Sequence, residues 1–188
     1  MSAFFSSQNI VRNITIAVFI LAAVLTRLLP HPYPMPWNVS PITAIALFGA
    51  AMFPGRFSAM FIPVTAMLLS DIGLEIINGN GFHSLMLVVY GCFAAISVAG
   101  YSLRRFENKV LPSLGFAVGG SLFFFLASNF AVWIIGYPHT VEGLTTCYAA
   151  ALPFFRNSLL GDLFFTGALF GSFALAERKI SALASQAA

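Results

Sequence analysis

The sequence predicts an all-α fold, a polytopic membrane protein built as a compact bundle of six transmembrane helices, and three observations predict it. Of 188 residues, 59% are hydrophobic and 8% charged, against roughly 45–50% and about 25% in soluble domains. Such a chain cannot cover itself with polar surface, whereas a bilayer accepts an apolar exterior if the backbone groups are satisfied within helices. The apolar residues fall into runs separated by Pro, Gly and charged clusters. The basic residues are also lopsided: Arg12, Arg56, Arg104, Arg105, Lys109, Arg178 and Lys179 fall on one side of a six-span plan, with Arg27 and Arg156 near the other. Seven against two is a positive-inside bias, which makes the first side cytoplasmic and puts both termini there. An odd number of spans would split these groups. The whole chain, 1–188, reads as a single transmembrane domain.

The first span runs from about Arg12 to Leu29 and stops at the prolines between Pro30 and Pro36, which forbid a helix and favour an extended loop. No small-x-small cleavage site precedes a polar region, so the run is read as a span and not as a signal peptide. Tyr33 and Trp37 fit an interfacial aromatic belt. A second span starts near Ser40-Pro41, with serine as the cap and proline at the first helical position, and ends by Phe53. At about 14 residues it is short, so it tilts or leaves one end in a loop-lined cavity. Pro54-Gly55-Arg56 is a tight turn into a third span, about Phe57 to Ser70, with Asp71 and Glu75 near its far end. Asn78-Gly79-Asn80-Gly81 breaks the helix.

The fourth span covers about His83 to Leu103 and meets a charged stretch, Arg104 to Lys109. The fifth runs from about Leu111 to Ile135, with Gly115 and Gly119 at a spacing that lets helices approach closely. Thr140 to Asn157 is apolar but interrupted by Pro153 and Arg156, and is read as a re-entrant or cavity-lining segment or a loop. The sixth span is Leu159 to Ala176.

Several function classes are disfavoured. The formal net charge of +3 comes from scattered basic residues that form no continuous face for nucleic acid. Cys92 and Cys147 show neither pairing nor metal-ligand spacing. No nucleophile elbow, zinc-protease helix or phosphate-cradling glycine loop is present. Asn38-Val39-Ser40, with proline following, is a poor glycosylation acceptor. No catalytic residue, metal or cofactor is expected.

Polar and aromatic residues converge on the exterior side instead, where the loops are longer, as a small-molecule pocket requires. Asp71 is read either as a pocket or ion-pair residue or as an interface residue. Asp162 lies deeper in an apolar run and is read as facing the bundle interior, with Arg156 its nearest candidate for charge compensation. Asn129 is placed to hydrogen-bond across helices. Trp133 and Tyr137, one turn apart, either offer two aromatic faces to a planar ligand or belong to the interfacial belt. His31, His83 and His139 stand on three different exterior loops, about fifty residues apart, a spacing that forms no metal motif. Tyr33, Trp37, Asn38, Asp71, His83, Asn129, Trp133, Tyr137, His139, Cys147, Tyr148 and Asp162 are the candidate ligand-binding residues.

The stretch Pro36-Trp37-Asn38-Val39-Ser40-Pro41-Ile42-Thr43-Ala44-Ile45-Ala46-Leu47-Phe48-Gly49-Ala50, followed by Leu68-Leu69-Ser70-Asp71, resembles bacterial membrane proteins related to the substrate-binding S-components of energy-coupling factor vitamin transporters. With the six-span plan, the resemblance covers most of the chain. It implies capture of a vitamin or similar micronutrient from outside, in the bacterial cytoplasmic (inner) membrane, in a pocket roofed by the first, third and fifth loops. It also implies a partner transmembrane coupling protein and ATPase subunits, since this chain has no nucleotide-binding motif. The family's docking motif of alanines four apart on the first span is not matched by Ala17, Ala22 and Ala23. One branch of that family binds cobalamin, sometimes through a cysteine on cobalt, a role Cys147 would take; aromatic loops suit a pterin, thiamin, riboflavin or a modified-base precursor equally. Two other classes compete: a membrane enzyme using Asp71, His83, His139 and Asp162 on a lipid-soluble substrate, and a structural or assembly protein without an exterior cavity. The sparse charge favours a binder.

Overall fold

A computed structural model describes residues 7–28, 39–53, 55–79, 81–180 and 183. Among these the chain forms six α-helices: α1 (Ser7–Leu28), α2 (Ile42–Met52), α3 (Arg56–Asn78), α4 (Met86–Gly100), α5 (Val110–Gly136) and α6 (Val141–Lys179). A 3-10 turn, Tyr101–Arg105, continues α4. Four segments are long and apolar enough to cross a membrane: Ile10–Leu28, Met86–Arg105, Val110–Gly136 and Val141–Lys179. The fold is the all-α membrane bundle the composition demands.

The centre of the bundle is its shortest helix. α2 has 11 residues, about 16 Å at about 1.5 Å per residue, or half of a hydrocarbon core about 30 Å thick. Its sequence is apolar on every side, the pattern of a helix enclosed by others. Every residue from Thr43 to Met52 is buried, and α2 touches all five other helices. Lipid is as apolar as a side chain, so close packing has to hold such helices together. The packing is close: a methyl group at Gly49 would overlap the ring of Pro63 on α3, and one at Gly100 would lie 3.1 Å from Leu47. Phe48 lies at the middle of a ring cluster, with centroids 6.0 Å from Phe19, 5.3 Å from Phe170 and 5.4 Å from Phe173.

Both ends of this buried helix need partners, because the terminal turns leave backbone groups unpaired. At the C-terminal end Arg104 Nε donates to the Ala50 carbonyl at 2.9 Å and Nη2 donates to that of Phe53, while the guanidinium lies 4.0 Å from the Tyr101 ring centre. A cation at a helix C-terminus also complements the helix dipole. At the N-terminal end the expected serine cap does not form. Pro41 is the cap residue, no side chain caps α2, and the buried Ser40 Oγ has no hydrogen-bond partner among the described residues.

α1 and α6 run antiparallel. Arg12 near the start of α1 pairs with Glu177 near the end of α6 at 3.7 Å, so the first and last helices begin and end at one end of the bundle. α3 continues past the expected end of the span at Ser70 to Asn78, where the sequence predicts the helix break, and closes on Gly79 in the left-handed region (φ 65°) that glycine adopts without strain. The chain then folds back so tightly that a side chain at Gly81 would strike the α3 backbone, and the Glu75 carboxylate accepts from the Gly81 N–H at 2.9 Å and the Phe82 N–H at 3.2 Å.

The segment Thr140 to Asn157 is neither a loop nor a re-entrant element. It is the first half of α6, a continuous helix of 39 residues, about 58 Å long at about 1.5 Å per residue. Thr140 starts it by accepting the Gly143 N–H on its hydroxyl at 3.1 Å. Pro153 removes one backbone hydrogen bond without ending the helix. Partners across the α5–α6 hairpin support the segment: Tyr148 Oη donates to the Leu126 carbonyl at 2.7 Å and Cys147 Sγ to that of Asn129 at 3.5 Å. Gly115 and Gly119 are not the close-approach pair, since a methyl at either meets nothing within 4 Å. The close approach is one residue further round, where a methyl at Gly120 would lie 3.2 Å from Thr43.

Candidate functional site

A central helix shorter than all of its neighbours leaves space beyond its end. A cavity of about 560 Å³ lies over the N-terminal end of α2, with Ser40 and Thr43 in its wall. Pockets for small molecules commonly occupy roughly 300–1,000 Å³. Every helix contributes: Arg27 from α1, Asp71 from α3, Phe93 from α4, Phe124 from α5 and Asp162 from α6 all line it, with His83 from the loop before α4. The Phe93 and Phe124 rings stack at 5.3 Å.

The two carboxylates have different surroundings. Asp71 is 4% exposed and fully engaged. Its Oδ1 takes Arg27 Nη2 at 2.8 Å and its Oδ2 takes the Tyr90 hydroxyl at 2.7 Å, while Arg27 Nη1 donates to Ser70 Oγ. This network ties α1, α3 and α4 together. Burying an ion pair is worthwhile only with such additional hydrogen bonds. Asp162 is 6% exposed, and its partners are hydroxyls: Ser121 Oγ of α5 at 2.5 Å and the Thr43 side chain of α2. Among the described residues it has no ion-pair partner.

Arg156 does not compensate Asp162, contrary to what the sequence suggests. Six residues along a helix turn about 240°, so the two side chains leave α6 on different sides. Arg156 is exposed.

Of the sequence-derived candidates, the cavity brings together Asp71, His83 and Asp162. Tyr33, Trp37 and Asn38 lie outside the described residues. The remaining candidates line the α5–α6 hairpin. Asn129 borders a small space of about 160 Å³ that shares Phe124, Ser158 and Asp162 with the main cavity. It does not reach across helices through its amide, which donates to the Phe125 carbonyl one turn back at 2.8 Å. Trp133, Tyr137 and His139 form the hairpin tip: Trp133 Nε1 donates to the Pro138 carbonyl at 2.9 Å, a His139 ring nitrogen contacts the Ile134 carbonyl at 2.8 Å, and Tyr137 is the residue at which α5 ends. Cys147 is buried between α5 and α6, and Tyr148 bonds across the same seam, so both are engaged within the hairpin.

Sequence reasoning missed Arg27, Thr43, Tyr90 and Ser121 as site residues. A signal existed for Arg27, a lone cation at the end of an apolar run that predicts a buried counter-charge. Hydroxyls within apolar helices carry no comparable signal, because most bond to their own helix, as Ser128 does to the Phe124 carbonyl at 2.6 Å.

An apolar groove of about 830 Å³ also opens between α4 and α5, where Ala95, Ala99, Gly115 and Gly119 leave room. It has no ionisable side chain in its wall. No curated protein and no solved structure matches the chain. A family model matches residues 7–183, and the chain therefore belongs to DUF6580, a family of unknown function.

Proposed function

We propose that this protein is a substrate-binding membrane subunit that captures a vitamin or related micronutrient in the cavity over α2. The observation that carries the reading is that cavity, lined by residues of all six helices at one end of the bundle and by both charged and aromatic groups. A structural or assembly protein has no need of it. The resemblance of the Pro36–Ala50 stretch to S-components of vitamin transporters supports the same reading. The chain sits in a bacterial inner membrane. The end carrying Arg12, Lys109 and Arg178 faces the cytoplasm by the positive-inside rule, so the cavity end faces outward. A transmembrane coupling protein and ATPase subunits supply the energy.

The geometry favours binding over catalysis. Asp71 has both oxygens committed to Arg27 and Tyr90, and His139 sits at the hairpin tip on the Ile134 carbonyl, away from the cavity that Asp71, His83 and Asp162 line, which supports binding over acid–base chemistry by all four. The test is mass spectrometry of small molecules released from the detergent-purified protein. A stoichiometric micronutrient is the expected result; reproducible absence after growth in a vitamin mixture would overturn the proposal.

A further inference from the structure

Among the described residues, the charges around the cavity do not cancel when Asp162 is ionised. Arg27 and Asp71 neutralise one another at 2.8 Å. An ionised Asp162 brings a second negative charge, and its partners are the neutral hydroxyls of Ser121 and Thr43. His83 is exposed at the rim. The N-terminal end of α2 lies beside this carboxylate, since the side chain of Thr43 in the first turn of α2 hydrogen-bonds to it. A helix N-terminus supplies a partial charge of only about half a unit. A buried carboxylate without a full counter-charge is costly, and a ligand that brings the missing charge removes that cost.

Resting on the binding-subunit reading, we propose that the ligand carries one positive charge, which Asp162 receives, on an apolar or aromatic body seated against Phe93 and Phe124. Asp162 is 6% exposed and lines both the main cavity and the smaller adjoining space. The Ser40 hydroxyl, buried in the cavity wall without a hydrogen-bond partner among the described residues, offers a further acceptor for an N–H of the same ligand. The stacked Phe93 and Phe124 rings add a surface that attracts cations over their faces. The ligand class is thus a small organic cation: an amine, an amidinium or a charged nitrogen heterocycle. An anionic ligand would face excess negative charge, because Arg27 is already spent on Asp71.

The test uses three probes of nearly one shape and different charge, benzamidinium, benzamide and benzoate, with thermal unfolding of the purified protein in nanodiscs as readout. Benzamidinium is expected to raise the unfolding temperature with a saturable concentration dependence, and benzamide and benzoate are not. Asp162→Asn, which keeps the shape and the hydroxyl partners, is expected to weaken benzamidinium by about tenfold or more, the equivalent of about 1.4 kcal/mol. Equal stabilisation by benzamide or benzoate, an undiminished effect in the variant, or no stabilisation by any probe overturns the inference. A neutral or anionic molecule released stoichiometrically from the native protein would overturn it while leaving the binding-subunit reading intact. Absence of both a released molecule and a probe effect would overturn both.

Discussion

Arg27 and Asp71, 44 positions apart, meet at 2.8 Å in the wall of the cavity and join the last turn of α1 to α3. Their side chains are 14% and 6% exposed. Removing one partner of a buried pair leaves an uncompensated charge and costs roughly 3–5 kcal/mol, whereas replacing both by apolar groups is often neutral. Arg27→Met is therefore expected to lower the unfolding temperature in nanodiscs sharply, and Arg27→Met with Asp71→Leu to recover most of the loss. A double variant as unstable as the single one would show that the pair does more than neutralise itself.

Glycines of similar appearance should behave in opposite ways. A methyl at Gly49 overlaps the rigid Pro63 ring, so Gly49→Ala is expected to cost about 1–3 kcal/mol through overpacking. Gly115→Ala meets nothing within 4 Å and, with alanine the better helix former by about 1 kcal/mol, is expected to be neutral or stabilising. Thermal unfolding of the two variants side by side measures the difference.

The start of α6 is capped by one hydroxyl. Thr140→Ala removes the acceptor for the Gly143 N–H and is expected to cost about 1 kcal/mol. Faster hydrogen exchange confined to residues near the start of α6, with little change around α2, is the expected signature.

Stability at the Arg12 end should depend on pH through Lys109. Burial holds its ammonium below the usual lysine value of 10.5, with Glu177 working against the shift and Arg12 and Arg104 adding to it. The unfolded chain then binds the proton more tightly than the folded one, so stability rises with pH across that interval. Lys109→Met is expected to be more stable than the parent at neutral pH, with the gap closing as the pH approaches 10.5. A gap independent of pH would assign the effect to packing.

The fold was legible in the sequence because its causes are compositional. Apolar runs, the turn signal before Arg56 and the break at Gly79 all act locally, and the helix bounds at Met52, Arg56 and Asn78 follow them. The continuity of α6 was not legible. Pro153 and Arg156 look like interruptions, and the contacts that hold the helix through them, from Tyr148 to Leu126 and Cys147 to Asn129, come from another helix. The candidate site was legible in part: Asp71 and Asp162 stand out as charges in apolar surroundings. Which cation serves which carboxylate was not, because proximity in sequence suggested Arg156 and proximity in space selects Arg27 for Asp71. The shift from Gly115 and Gly119 to Gly120 has the same origin, since a spacing rule gives the period of a helix face but not its rotation.

α2 has a consequence for how the protein enters its membrane. A segment of 11 residues falls well short of the roughly 20 needed to span a bilayer, so no insertion machinery can place it as an independent crossing. It has to arrive with α3 as one hairpin and wait in an immature state until α4, α5 and α6 have been synthesised and close around it. α6 thus completes the enclosure of a helix made well before it, and truncations within α6 should leave one side of α2 uncovered and mark the product for proteolysis.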